Sequence, residues 1–210
     1  MNKALLKLLN KYPELHICSD DIELAYETIK NSFKNGGKLL LCGNGGSASD
    51  CEHIVGELMK GFMKKRQLGD DIQNKLKEQW PLNGEYLAKN LQGALPAISL
   101  TSNTALMTAY SNDVAADMVF AQQVYGYGNP SDVLLGISTS GNSANVVNAI
   151  QLAKVLGVKT IGLTGKTGGS MKEICDVSIC VPYESTPDIQ ERHLPIYHTL
   201  CIMLEESFFS

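Results

Sequence analysis

Five short apolar runs punctuate the chain, at Lys38–Cys42, Leu95–Leu100, Val133–Ile137, Lys159–Leu163 and Val177–Val181. Each has strand length and is nearly continuous rather than alternating, the pattern of strands covered on both faces. Helical patterns separate most of them, over residues 48–62, 103–110, 116–125, 143–156 and 188–207. Two amphipathic helices are predicted ahead of the first run, at 2–11 and 21–34. Asp20-Asp21 opens the second and Gly36-Gly37 closes it. This alternation predicts an α/β fold: a doubly wound five-stranded parallel sheet with N-terminal helices (1–35) and a C-terminal helix. Its ligand belongs at the carboxyl ends of the strands.

Residues 63–93 break the alternation with a polar stretch holding Asp70-Asp71, Lys75, Lys77, Glu78 and the lone Trp80-Pro81. It reads as an insertion with some helix, over the strand ends or at a subunit contact; a surface excursion without chemistry is the plainer alternative. The 210 residues, 44% apolar, suit one domain over 1–210 with a substantial core.

Eighteen basic against 22 acidic residues leave a net charge of −4 and no basic block that would track a nucleic acid. Lys64-Lys65-Arg66 is short and is expected in a solvated loop. An anionic ligand must then be held by local dipoles and hydroxyls. The six cysteines lack metal-finger spacing, and Cys42, Cys175 and Cys180 sit in or beside apolar runs, as reduced thiols of a cytoplasmic protein would. The amino terminus is too polar for a signal peptide, and no apolar run approaches membrane-spanning length.

Three loops invite a phosphate reading. Gly43-Asn44-Gly45-Gly46-Ser47-Ala48 follows the first strand and fits G-x-G-x-x-A. A dinucleotide fingerprint also needs an acidic residue ending a second strand about 20 residues on, but the next strand begins only at Leu95. The loop still reads as a turn that brings a ligand to backbone and a helix N-terminus. Gly165-Lys166-Thr167 lacks the earlier glycine of a P-loop, since Thr160 stands there, and reads as a turn. Ser138-Thr139-Ser140-Gly141-Asn142-Ser143 places four hydroxyl side chains in six positions between a strand and a helix. That is more than an N-cap needs, and it suits a phosphate monoester bound by neutral donors.

Two helical segments carry groups for chemistry. His53 and Glu57, four apart beside the first loop, form either a plain surface pair or a metal-ligand or acid–base pair. Gln190 and His198, eight apart and about 80° around a helix, can face one pocket. Pro195 between them is expected to free the Glu191 carbonyl and kink the helix.

In this order the motifs resemble the flavodoxin-like sugar isomerase (SIS) fold and, more narrowly, the phosphoheptose isomerases. The matching segments are Cys42 to Ser47, His53 to Leu58, Ser111-Asn112-Asp113, Leu134 to Asn145, Leu163 to Lys166, and Ile189-Gln190-Glu191 with His198. The resemblance implies conversion of a ketose phosphate to an aldose phosphate through an enediol, in a cytoplasmic homotetramer with sites at subunit contacts. It implies sugar-phosphate contacts from Asn44, Gly45, Gly46, Ser47, Glu57, Asn112, Asp113, Ser138, Thr139, Ser140, Ser143 and Gln190. Glu57 and His198 would be the catalytic pair, and His53, Glu57, Gln190 and His198 would bind Zn²⁺. The implied substrate is sedoheptulose 7-phosphate, a precursor of surface heptoses. The chain departs from the family in the length of 64–93 and in Asp188, where a small or basic residue is commoner. Rival expectations are an isomerase of another phosphosugar and a non-catalytic SIS regulator or replication-initiator-binding protein; such relatives typically lack the acid–base pair.

Overall fold

The structure, a computed structural model, describes residues 2–209. Five strands form one all-parallel sheet: β1 (Leu39–Gly43), β2 (Ala97–Ser99), β3 (Val133–Ser138), β4 (Lys159–Thr164) and β5 (Val177–Cys180), in the order β2-β1-β3-β4-β5. Side chains alternate across a strand, so each strand feeds two cores. Leu39 and Leu41 face one core with α1 (Lys3–Lys11), α2 (Ser19–Lys34), α3 (Gly46–Met59) and α10 (Thr186–Phe208). Leu40 and Cys42 face the other, with α7 (Val119–Tyr127), α8 (Ala144–Val155) and α9 (Gly169–Ile174).

Chain order reverses between β1 and β3, whose pairing sets Gly43 against Ile137. The two phosphate-type loops leave these strands side by side at the topological switch point, where doubly wound sheets bind ligands.

The main departures from the predicted elements have local causes. The helix expected over 116–125 starts later, because residues 111–118 first make two irregular turns before α7. The turn at Gly165-Lys166-Thr167 leads into the short helix α9. α10, by contrast, is the helix expected over 188–207, and it continues through Pro195. Within 63–93 the chain forms two helices packed together, α4 (Asp70–Gln79) and α5 (Gly84–Asn90). α4 has no buried residue, and Trp80 and Leu82 at the turn stand exposed.

The basic run is the largest correction. Lys64 and Lys65 are solvated, but Arg66 is only 1% exposed. Its Nε lies 2.8 Å from Glu205 Oε1, and its terminal nitrogens donate to the carbonyls of Glu57 and Leu58 at the end of α3. Glu205 also accepts the backbone N–H groups of Phe62 and Met63, each at 2.8 Å. A carboxylate in α10 and unpaired helix-end carbonyls together satisfy a guanidinium that would otherwise remain in water.

Removing one partner leaves the other charge buried alone. Arg66→Met is therefore expected to lower unfolding free energy by about 3–5 kcal/mol in denaturant titrations. Burial alone would raise the Glu205 pKa, but hydrogen bonds from Phe62, Met63 and Arg66 outweigh it and hold the carboxyl below its ordinary value of 4.5. The unfolded chain thus takes up this proton first as pH falls. The stability from Glu205 is full above pH 4.5 and is lost as pH drops through the lower folded value, a pH dependence that Glu205→Gln should weaken.

Candidate active site

The two loops are tied to each other and to α9. The side-chain amides of Asn44 and Asn145 exchange two hydrogen bonds of 2.9 Å across the switch point. In the second loop the Ser138 and Ser143 hydroxyls are 3.0 Å apart, and the Asn142 N–H donates to Ser140 Oγ at 3.2 Å. Asn142 Oδ1 in turn accepts the N–H and hydroxyl of Ser170, both at 2.9 Å. Gly141 sits at φ 66°, and a Cβ there would lie 1.9 Å from the Gly168 carbonyl oxygen. Only glycine fits that position. The loop is thus stitched down, with Ser140 at its exposed rim.

α3 and α10 run alongside one another from this anchor. A Cβ on Gly46 would fall 2.6 Å from Gln190 Nε2, so the Gln190 carboxamide lies directly over the first turn of α3. Further along, His53 Nε2 is 3.4 Å from Glu57 Oε1 and 3.5 Å from His198 Nε2. His53 Nδ1 is 3.0 Å from the Tyr197 hydroxyl, which donates to Asp50 Oδ1 at 3.1 Å. Lys60 Nζ lies 3.4 Å from the second oxygen of Glu57.

Burial, with help from the neighbouring His53, lowers the His198 pKa against a smaller opposing effect of Glu57. His198 is therefore biased towards its neutral form. Burial raises the Asp50 pKa, opposed by the Tyr197 hydrogen bond and His53. Burial, then Asp50, raises that of Tyr197, which stays a phenol. The fully buried His193 is a different case: its Nε2 lies 3.3 Å from the Thr164 carbonyl, and desolvation takes its pKa down to about 4. It is a neutral pin between α10 and β4.

The imidazoles of His53 and His198 and the carboxylate of Glu57 suit a borderline cation such as zinc, while the Gln190 carboxamide lies over Gly46. At metal–ligand distances of about 2.0–2.1 Å a tetrahedral site has edges of roughly 3.3–3.4 Å. The His53–Glu57 separation of 3.4 Å equals such an edge, and the His53–His198 separation of 3.5 Å is slightly longer. Among the described residues, however, no group of three or more His, Cys, Asp or Glu side chains closes around a common point.

The fold thus gathers Asn44, Gly45, Gly46 and the buried Ser47 beside Ser138, Thr139, Ser140 and Ser143, with Gln190 above them and His53, Glu57 and His198 beyond. Asn112 and Asp113 are exposed in the turn Ser111–Ala115 and hydrogen-bond each other at 2.9 Å. Asn145 and Tyr197 were not singled out from the sequence as site residues. An amide following each of two facing loops is a signal for Asn145; nothing in the local sequence marks Tyr197.

The SIS-domain family profile matches residues 8–75 and 86–165, passing over the turn of the α4–α5 insertion. A phosphoheptose isomerase of Aliarcobacter butzleri is 38% identical over 98% of this chain and 97% of its own length. One from Nitratiruptor is 45% identical over 84% of this chain and 81% of its own. The solved phosphoheptose isomerase of Neisseria gonorrhoeae superposes with a TM-score of 0.74 at 32% identity, covering 96% of this chain and 93% of that one.

Gly141→Ala sets a methyl against backbone rather than against a movable side chain. It is expected to cost about 1–3 kcal/mol in stability and to weaken binding of inorganic phosphate, both measurable by thermal shift with and without phosphate.

Proposed function

The chain belongs to the SIS-domain family and, within it, to the phosphoheptose isomerases, and from that premise we propose how it interconverts sedoheptulose 7-phosphate and D-glycero-D-manno-heptose 7-phosphate, with Glu57 and His198 as its acid–base pair. The observation that carries this reading is the distance between anchor and acid–base cluster. Gly46 to His53 spans seven residues of α3, and Gln190 to His198 spans eight of α10. At 1.5 Å per residue these are roughly 10 and 12 Å. An extended seven-carbon chain, with carbon–carbon bonds near 1.5 Å, sets its phosphate about 10 Å from C1. With the phosphate on the Ser138–Ser143 loop and the N-terminus of α3, C1 and C2 reach Glu57 and the two histidines.

The reaction moves one proton between adjacent carbons and another between their oxygens. Glu57 takes the proton from C1 of the ketose, exchanges it with solvent while the enediol stands, and delivers a proton to C2 of the aldose. His198, neutral at the working pH, carries the proton between O1 and O2. Asn44, Gly45, Gly46, Ser47, Thr139 and Ser140 hold the phosphate through backbone and side-chain donors, and Gln190 covers the adjoining hydroxyls. His53, Glu57 and His198 would hold Zn²⁺, which would supply polarisation of the carbonyl and relief of negative charge on the enediolate; Gln190, a metal ligand by resemblance, would have to turn from Gly46 towards His198 to join them. Asn112 and Asp113, assigned to the substrate by resemblance, would offer it an amide and a carboxylate.

A groove of about 590 Å³ between α1 and α10 opens at His198, with Lys3, Lys7 and Lys11 on one side and Glu191 and Glu206 on the other. Its opposed charges suit a second copy of the chain, in keeping with a homotetramer that completes its sites at subunit contacts. Among the described residues all six cysteines are free and no helix is long and apolar enough to cross a membrane. The free thiols suit a cytoplasmic setting. The acid–base pair within one site disfavours the regulator and initiator-binding readings.

Zinc-loaded protein is expected to convert sedoheptulose 7-phosphate to the aldose and to lose turnover with a chelator. Glu57→Gln is expected to lower kcat by about 10²–10⁴-fold. No turnover by loaded protein, or full turnover by Glu57→Gln, would overturn the assignment.

A further inference from the structure

We propose that Tyr197 and Asp50 are positioning residues that hold His53 as its Nδ1–H tautomer, leaving the Nε2 lone pair bare towards Glu57 and His198. The argument is an account of protons. Asp50, as a carboxylate, can only accept, and the Tyr197 hydroxyl is its hydrogen-bond partner among the described residues, at 3.1 Å. That commits the one phenolic proton to Asp50. The tyrosine oxygen, 3.0 Å from His53 Nδ1, is then left as an acceptor, so Nδ1 must carry the hydrogen.

The opposite arrangement has Tyr197 donating to Nδ1 and Nε2–H donating to Glu57. It would leave the partly buried Asp50 carboxylate without a partner and rely on the longer 3.4 Å contact with Glu57. Packing reinforces the first arrangement. Tyr197 is only 1% exposed, and its ring meets that of His53 edge-on at 5.5 Å and 74°. The hydroxyl therefore has little freedom to seek another partner.

A bare Nε2 matters because it is the form in which an imidazole can ligate a cation or accept a proton. Tyr197 and Asp50 touch neither the sugar nor the reacting atoms in this account; they act through His53. The inference rests on the isomerase reading for its consequence, but the tautomer itself can be read without substrate or turnover.

The test is nitrogen NMR of the metal-free protein with labelled histidine at neutral pH, the His53 signals assigned with a His53→Gln variant. The expected wild-type result is a protonated Nδ1 and an unprotonated Nε2 at His53. Tyr197→Phe, which keeps the ring volume, should move His53 towards Nε2–H and weaken zinc binding by about 10–100-fold in competition with a chromogenic chelator. Asp50→Ala should do the same by releasing the phenol to donate to Nδ1. Asp50→Asn, which keeps an oxygen facing the phenol, should preserve the wild-type tautomer. Nε2–H at His53 in the wild type, or an unchanged tautomer in both Tyr197→Phe and Asp50→Ala, would overturn the proposal. An Nδ1–H His53 in a protein that fails to isomerise the sugar would sink only the functional reading.

Discussion

The ion pair of Arg66 and Glu205 closes the far end of the structure that the sheet opens. Both side chains are withdrawn from water, which costs free energy unless every polar atom finds a partner. Here the carboxylate takes one guanidinium nitrogen and two backbone N–H groups, and the guanidinium takes two carbonyls at the end of α3. The pair therefore fastens the helix that carries His53 and Glu57 to the helix that carries His198. It also ties down the start of the α4–α5 insertion, and the Gly93 N–H returns to the Arg66 carbonyl as the chain leaves it.

At the other end of the same two helices the constraint is steric. Gly46 has no side chain, and the Gln190 carboxamide occupies the place where one would be. With both ends fixed, the spacing between phosphate loop and acid–base cluster becomes a property of the backbone. A parallel sheet supplies the loop, since β1 and β3 end together at the switch point, and the helices supply the reach. On the proposed reading, substrate length is written into helix rise, and the reaction into which residues fall about two turns from the anchor.

The fold was legible because its signals are local. Five apolar runs mark the five strands, and the two glycine- and serine-rich segments mark the loops that open at one edge. His53 with Glu57, and Gln190 with His198, were legible from helical spacing. What could not be read depended on partners far along the chain. Arg66 belonged to a basic run that looked solvated, and only Glu205, 139 residues on, makes its burial possible. Asn145 and Tyr197 follow the same rule, since each acquires its role from a residue more than 100 positions away. The helix α9 escaped notice because it is six residues long and follows a turn whose glycines dominate the pattern. Asn112 and Asp113 were expected by resemblance, and their side chains hydrogen-bond each other on an exposed turn.

The central claim is that Glu57 shuttles a carbon-bound proton within an enediol mechanism. Running the reaction in deuterium oxide and analysing the aldose by mass spectrometry and proton NMR tests it directly. The account predicts deuterium at C2 of the product from the wild-type enzyme, and no exchange above background with Glu57→Gln. An aldose that carries no solvent deuterium, or exchange that continues undiminished in Glu57→Gln, would contradict it.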